Sequence, residues 1–316
     1  MTNSVAQFSG QRILITGASG FLGSHLCDRL SKNGALVHAV SRTEHTADTS
    51  VRWWQGNMED IEVVKNLGHT IKPEVVYHLS GHVTGAAGLE LVLPTFHSLL
   101  VSTVNLLTVA TEIGCRRIVL IASLEEPEPG HTDAAPASPY AAAKWASSAY
   151  GRMFHQLYQT PVVLVRPFMT YGPGQDARKI IPSVTLSLLQ GQAPKLASGQ
   201  RQVDWIYVND VIEGLLAAAH MPDVEGCTLD LGSGTLVPIR AVVQQLTNLV
   251  SSQVEPLFGA LPDRPVEKVR RANTAYTYAK LGWQPVTSLE MGLQHTVDWY
   301  RSQLQDANEK RFVSKK

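Results

Sequence analysis

Cysteine is scarce in this chain, with only Cys27, Cys115 and Cys227 among 316 residues. An odd, scattered set with no metal-ligand spacing gives neither a disulfide framework nor a metal site, and reads as idle or buried thiols in a reducing compartment. Charge of one sign is missing as well: 27 Lys and Arg balance 27 Asp and Glu. No broad field therefore favours nucleic acid or an anionic membrane as a partner. The opening MTNSVAQFSGQR has no long apolar run, so it does not read as a signal peptide. No apolar stretch approaches the roughly 20 residues that span a bilayer. A soluble, cytoplasmic protein is the expectation.

What the chain does have is alternation. RILIT (12–16), ALVHAV (35–40), VRWWQ (51–55), PEVVYHLS (73–80), RRIVLIAS (116–123) and PVVLVRP (161–167) read as strands. Helical segments follow at the glycines after 16, near 95–113 and over 138–158. Strands spaced by helices of this length imply βαβ units and a parallel sheet with helices on both faces. The expected fold is α/β, a doubly wound parallel (Rossmann) sheet over residues 1–167 that later segments complete. From 168 to about 308 the pattern loosens into YGPGQ, LASGQRQ and helices near 209–220, 237–250 and 288–304. That stretch reads as a smaller, mixed C-terminal substrate lobe over the sheet's carboxyl edge, with an unstructured tail at 309–316.

The sharpest motif is ILITGASGFLGSHL, with Gly17, Gly20 and Gly23 between a strand and a helix. The first glycine permits a tight turn, the second lets a pyrophosphate approach the backbone, and the third lets helix pack against strand. The helix N-terminus adds free N–H groups and partial positive charge. Ser19, Phe21 and Leu22 belong to the same turn. A turn with a helix cap is the bland alternative; strand before and helix after favour a dinucleotide site. The second strand ends in Ser41 and Arg42, where an NAD site usually carries an acid for the ribose hydroxyls. Serine and arginine suit a 2′-phosphate, which favours NADP over NAD; a plain surface arginine is the alternative. Asn57, after the third strand, is a candidate for the adenine edge, with a simple loop asparagine as the competing reading, and Met58 beside it is a further cofactor-binding candidate.

PYAAAK sets Tyr140 and Lys144 four apart on one helix face. A cation beside a phenol stabilises the phenolate, so the tyrosine can exchange a proton with an alcohol or ketone. Ser123, at the end of the preceding strand, can hydrogen-bond the same oxygen.

TGASGFLGSHL, VYHLSG, Ser123, SPYAAAK, RPFMTYGPGQ, VDWIYVNDV and AKLGWQP together resemble the extended short-chain dehydrogenases/reductases, and within them the nucleotide-sugar epimerase and dehydratase branch. The likeness covers residues 10 to about 303. It implies that Tyr140 abstracts the proton of a sugar 4-hydroxyl while hydride moves to the nicotinamide. Lys144 would lower the tyrosine's pKa and bind the nicotinamide ribose, and Ser123 would orient the reacting oxygen. Leu79, Ser80 and Gly81 would pass beside the cofactor, and Pro167 would border it. Arg264 would meet the substrate diphosphate, with Thr84, Met169 and Arg201 on the substrate side. Asp210 would be a structural helix N-cap, and the helices near 95–113 and 138–158 would pair two copies into a homodimer, through outward apolar residues such as Trp145 and Met153; the bland alternative is that those residues face the sheet.

Some positions depart from that pattern: Met169 and Leu99 stand where relatives often have Asn, and Val203 where they often have Arg. After Ser123 comes LEEPEPG. Glu125 matches the glutamate by which dehydratases take a proton next to the transient 4-ketone, but Leu124 replaces the acid that often precedes it. Glu126 and Glu128 read as a solvated acidic loop. An epimerase or dehydratase comes first, an NADPH-dependent 4-ketoreductase second. A non-catalytic dinucleotide-binding regulator is a third class, disfavoured by the intact Ser123, Tyr140 and Lys144.

Overall fold

The computed structural model describes residues 7–45, 50–127, 135–263 and 269–313, with side chains as far as 307. It divides into two compact units. One comprises Met1–Pro167, Ile212–Leu231 and Ala275–Trp283; the other Phe168–Val211, Gly232–Thr274 and Gln284–Lys316.

The first unit is built on strands β1 (Arg12–Thr16), β2 (Leu36–Ser41), β3 (Val51–Gln55), β4 (Val75–His78), β5 (Arg117–Ile121), β6 (Val162–Pro167) and β10 (Thr228–Leu231). Their spatial order is β10-β6-β5-β4-β1-β2-β3, and every pairing is parallel. The central strands are continuous apolar runs because both faces are covered. Val75–His78 and Val162–Val165 are buried throughout. The strand order reverses between β1 and β4, the switch point beside which doubly wound sheets bind ligands.

Helices α1 (Phe21–Lys32), α2 (Ile61–Ile71), α3 (Val92–Thr95), α4 (Ser102–Glu112) and α5 (Pro139–Tyr158) belong to this unit. One face of the sheet packs Leu14, Val76, Ile118 and Leu120 against Leu67 of α2, Leu106 and Leu107 of α4 and Phe154 of α5. Helix α5 starts cleanly because the Ser138 hydroxyl accepts from Ala141 N–H at 3.1 Å, with Pro139 at its first position.

The segment before α4 departs from expectation. Helix begins at Leu89, as a 3₁₀ turn over Leu89–Leu91, and passes through a π-helical stretch over Phe96–Val101 before α4. From Leu89 to Glu112 it is long and apolar enough to cross a membrane by length and composition, which corrects the reading that no stretch is. Ser, Thr and His interrupt its aliphatic residues without adding much charge. Here Leu99, Leu106, Leu107, Val109 and Ala110 are buried core. Met153 also packs against the core, so it is not part of an outward stripe.

The second unit holds a mixed sheet of β11 (Leu236–Pro238), β9 (Gln202–Tyr207) and β7 (Met169–Tyr171), antiparallel then parallel. A two-strand pair, β8 (Lys195–Leu196) with β12 (Leu257–Phe258), and helices α6 (Ile180–Leu189), α8 (Ile239–Val250) and α10 (Leu289–Val313) complete it. Buried Asp204 accepts from the N–H groups of Ser233, Gly234 and Ala272 at 2.7–3.0 Å, tying two loops to β9. Helix α7 (Val208–His220) begins in this unit and ends in the first. Asp210 lies inside its first turn and is not an N-cap: its carboxylate accepts from the backbone of Val286 and Thr287, both at 3.1 Å. Helix α10 covers 309–313, where a loose tail was expected, since ANEKRF consists mostly of good helix formers; residues 314–316 lie outside the described residues.

Candidate active site

The β1–α1 turn is shaped for close approach. Gly17 has φ +69°, and a Cβ there would lie 2.7 Å from Ser80 N and 2.8 Å from the Leu79 carbonyl carbon. The turn therefore lies flat against the backbone that follows β4. A Cβ on Gly23 would drive into the Gly17 carbonyl oxygen. Gly20 is the N-cap of α1 and supplies no side-chain acceptor, and the first turn carries no acid. The opening N–H groups of α1, at Phe21 and Leu22 beside exposed Ser19 and Gly20, are thus left for an anion. A dinucleotide's pyrophosphate fits that cradle.

On β4's side, Leu79 N–H donates to Thr16 O at 3.1 Å, and Ser80 Oγ lies 3.1 Å from Thr16 Oγ1. Gly81, at φ +148°, has no room for a side chain because Leu99 fills the space. Leu99 at the family's asparagine position is thus a packing residue, 1% exposed. His78, for which the sequence suggested no role, joins three elements: its Nδ1 meets Thr16 Oγ1 at 2.8 Å and its Nε2 meets Thr103 Oγ1 at 3.1 Å. Burial first, and the Lys144 charge second, push its pKa down to about 3, so the ring is neutral.

At the end of β2, Ser41 is buried and Arg42 exposed. Ser41 Oγ accepts from Thr43 N–H at 3.2 Å and lies 3.1 Å from His45 Nε2, whose ring stacks on Trp53 at 4.1 Å. Neither of these two residues at the strand end carries a carboxylate. Asn57 Oδ1 accepts from Glu59 N–H at 3.2 Å, which is the loop-capping role that competed with adenine binding. Met58 has its side chain in the core, leaving only its backbone for a base edge.

The proton-transfer set lies in the same unit. Tyr140 and Lys144 occupy the first turns of α5, and Ser123 follows β5. Lys144 is buried, and its ammonium donates to Ile121 O at 2.8 Å. Burial pulls its pKa down to about 8, against an opposing pull from Glu126. Burial raises the Tyr140 phenol, while a hydrogen bond with Ser123 lowers it. Ser123 Oγ accepts from Glu125 N–H at 3.2 Å, which leaves its own proton to donate toward that phenol. A phenol, a cation and a hydroxyl donor so grouped can move a proton to and from an alcohol.

The two glutamates after Ser123 part company. Glu125 is partly buried and its charge acts on Tyr140. Glu126 overturns the solvated-loop reading: it is 2% exposed, and its Oε1 accepts from Ser123 N–H at 2.6 Å and from Ser148 Oγ at 2.9 Å. A signal was present in SLEE and α5 together, because the α5 face that bears Lys144 also carries Ser147 and Ser148, which need partners when buried. Glu128 lies outside the described residues.

Pro167 ends β6, in register with Leu231 of β10. Neighbouring Arg166 is committed to Asp230, at 3.0 Å. Thr84 Oγ1 accepts from Ala86 N–H in its own loop. Met169 and Arg201 belong to the second unit: Met169 opens β7 opposite Trp205, and Arg201 is partly buried just before β9, where Val203 is buried in the strand. Arg264 lies outside the described residues. Among the described residues, no group of three His, Cys, Asp or Glu side chains could hold a metal ion.

A curated UDP-glucose 4-epimerase of Mycolicibacterium smegmatis is 30% identical over 319 residues, covering 93% of this chain and all of that protein. A dTDP-glucose 4,6-dehydratase of Haemophilus influenzae is 27% identical, covering 91% of this chain and 97% of that one. Among solved structures, UDP-glucose 4-epimerase with UDP-glucose from Thermotoga maritima matches with a TM-score of 0.83 at 25% identity, over 92% of this chain and 99% of that one. The model of the NAD dependent epimerase/dehydratase family matches residues 13–232, most of the chain. With the glycine cradle, the Tyr140–Lys144 pair and the seven-stranded parallel sheet in place, the chain belongs to the NAD dependent epimerase/dehydratase family of enzymes.

Proposed function

We propose that this enzyme is a cytoplasmic nucleotide-sugar epimerase or dehydratase that oxidises the sugar's 4-hydroxyl. The observation that carries the reading is the grouping of Tyr140, Lys144 and Ser123 in the unit that also holds the glycine cradle. Tyr140 takes the hydroxyl proton, Ser123 donates to the oxygen as charge develops on it, and the Lys144 cation stabilises the phenolate. Bound nicotinamide supplies the two-electron acceptor. Gly17, Gly20, Gly23, Leu79, Ser80 and Gly81 shape its binding surface, and Thr84, Met169, Arg201 and Arg264 contact the substrate. The named relatives act on nucleotide sugars of two kinds, so UDP-glucose and dTDP-glucose are the probes. A product epimeric at one carbon and unchanged in mass marks an epimerase; a product lighter by one water marks a dehydratase. No conversion of either probe, or of other nucleoside diphosphate hexoses, overturns the reading.

A second reading, an NADPH-dependent 4-ketoreductase, is favoured by one feature: β2 ends in Ser41 and Arg42 with no acid. Arg42→Ala is expected to weaken NADP binding by more than about 1.5 kcal/mol, the size of a hydrogen bond to a charged group, and to leave NAD binding unchanged. Cofactor titration by fluorescence checks this; equal losses for both cofactors count against the 2′-phosphate role.

Homodimerisation is part of the same proposal. Val92, Leu93 and Phe96 before α4, and Tyr150, Leu157 and Tyr158 on α5, are exposed apolar residues. Light scattering at micromolar concentration is expected to give twice the chain mass; a monomer mass excludes a stable dimer.

A further inference from the structure

The residues SLEE place a carboxylate where the fold has no room for a solvated one. Glu126 sits under the loop after β5, and a single oxygen, Oε1, holds two groups: the N–H of Ser123 at 2.6 Å and the hydroxyl of Ser148 at 2.9 Å. Ser123 contacts the reacting oxygen in the reading above, and Ser148 stands one helical turn beyond Lys144 on α5. The carboxylate thus joins the serine of the proton-transfer set to the helix that carries its other two members. Buried carboxylates are tolerated only where donors and positive charge surround them. The charge here acts on both Lys144 and Tyr140.

We infer that Glu126 is a positioning residue for proton transfer: its Oε1 ties the Ser123 backbone to α5 through Ser148, and its negative charge acts on Tyr140 and Lys144. This rests on the role of Tyr140 stated under Proposed function. Among the described residues, the charged and titratable groups around the pair are Glu125 and Glu126 from the loop after β5, and His78 from β4, which is neutral. A negative neighbour favours the protonated form of both a phenol and an amine. Removing the charge of Glu126 therefore moves both titrations to lower pH.

Glu126→Gln removes the charge and keeps an oxygen in place to accept both hydrogen bonds, so the loop geometry is retained. The tyrosinate absorbance of the full chain, read against the same variant carrying Tyr140→Phe, isolates the Tyr140 titration without any substrate. Glu126→Gln is expected to move that titration down by about one pH unit. Glu126→Asp and Ser148→Ala keep the charge and loosen the tie, which weakens the Ser123 hydrogen bond that lowers the phenol, so neither is expected to show the downward shift. A folded Glu126→Gln that titrates like the parent overturns the inference. An equal shift in Glu126→Asp or Ser148→Ala also overturns it, because displacement of the loop then explains the change. The titration needs no nucleotide sugar, so absence of turnover on the probes sinks the proposed function and leaves this result standing.

Discussion

Tyr140→Phe is expected to lower turnover by at least about 10²–10⁴-fold, the contribution of a positioned acid or base, and to leave cofactor binding nearly intact. The substitution removes one oxygen from a ring held in the first turn of α5. That turn is fixed by the Ser138 cap and by Pro139, so the ring has no reason to move. The oxygen is the group that Ser123 hydrogen-bonds and that burial makes reluctant to ionise. Lys144 is equally reluctant to stay charged, at a pKa of about 8. Each charge supplies what the other lacks, so phenolate and ammonium form best together. The sign for pH follows: oxidation of an alcohol needs the phenolate and speeds up as pH rises, whereas reduction of a ketone needs the phenol and slows. Lys144→Met should cost comparably and flatten that dependence. Steady-state turnover with the converted probe, and calorimetric titration of the cofactor, separate chemistry from binding. Near-parental turnover in Tyr140→Phe removes the tyrosine from the mechanism.

The sequence carried the first unit well because its signals are local. RILIT, VRWWQ and PVVLVRP are apolar, β-branched or aromatic runs bounded by breakers, and their strands fall within a residue of where the pattern put them. Gly17 and Gly23 are required by backbone contacts that no larger residue tolerates, so their spacing encodes the turn itself. Helix α2 went unread because its start depends on one Asx cap, Asp60 accepting from Glu62 N–H at 2.9 Å. The mostly apolar α6, IIPSVTLSLL, lacks the helical period that would mark it. Long-range roles were invisible. Nothing near Asp210 says that it holds the backbone 76 and 77 residues further on. Nothing in EEPEPG says that its second glutamate is buried, because Ser148 on α5 decides that. The helical reading near 95–113 missed its start at Leu89, and this stretch, membrane-like in length and composition, sends Leu106, Leu107, Val109 and Ala110 into the core beside residues of α2 and α5.

Glu125→Gln is expected to abolish loss of water from a nucleotide hexose while leaving oxidation of the 4-hydroxyl, and with it reduction of the bound nicotinamide, in place. A dehydratase must remove the proton on the carbon beside the 4-carbonyl, and that proton is acidified by the carbonyl only after oxidation. Glu125 has the chemistry and the place for this: it is partly open, its backbone is pinned to Ser123 Oγ at 3.2 Å, and its charge reaches Tyr140. Its neighbours cannot stand in. Leu124 has no proton to give or take, and Glu126 spends its Oε1 on Ser123 and Ser148. Among the described residues, elimination would therefore rest on this one carboxylate, and its loss should cost at least about 10²–10⁴-fold in water release. Reaction in deuterated water reads the step directly. The parent enzyme is expected to exchange the proton at that carbon for deuterium, and Glu125→Gln is expected not to. An epimerase needs no such base, because the hydride it removes returns to the same carbon from the other side. Unchanged turnover in Glu125→Gln, with no deuterium entering the parent's product, assigns the enzyme to epimerisation and leaves Glu125 as the loop residue that orients the Ser123 hydroxyl.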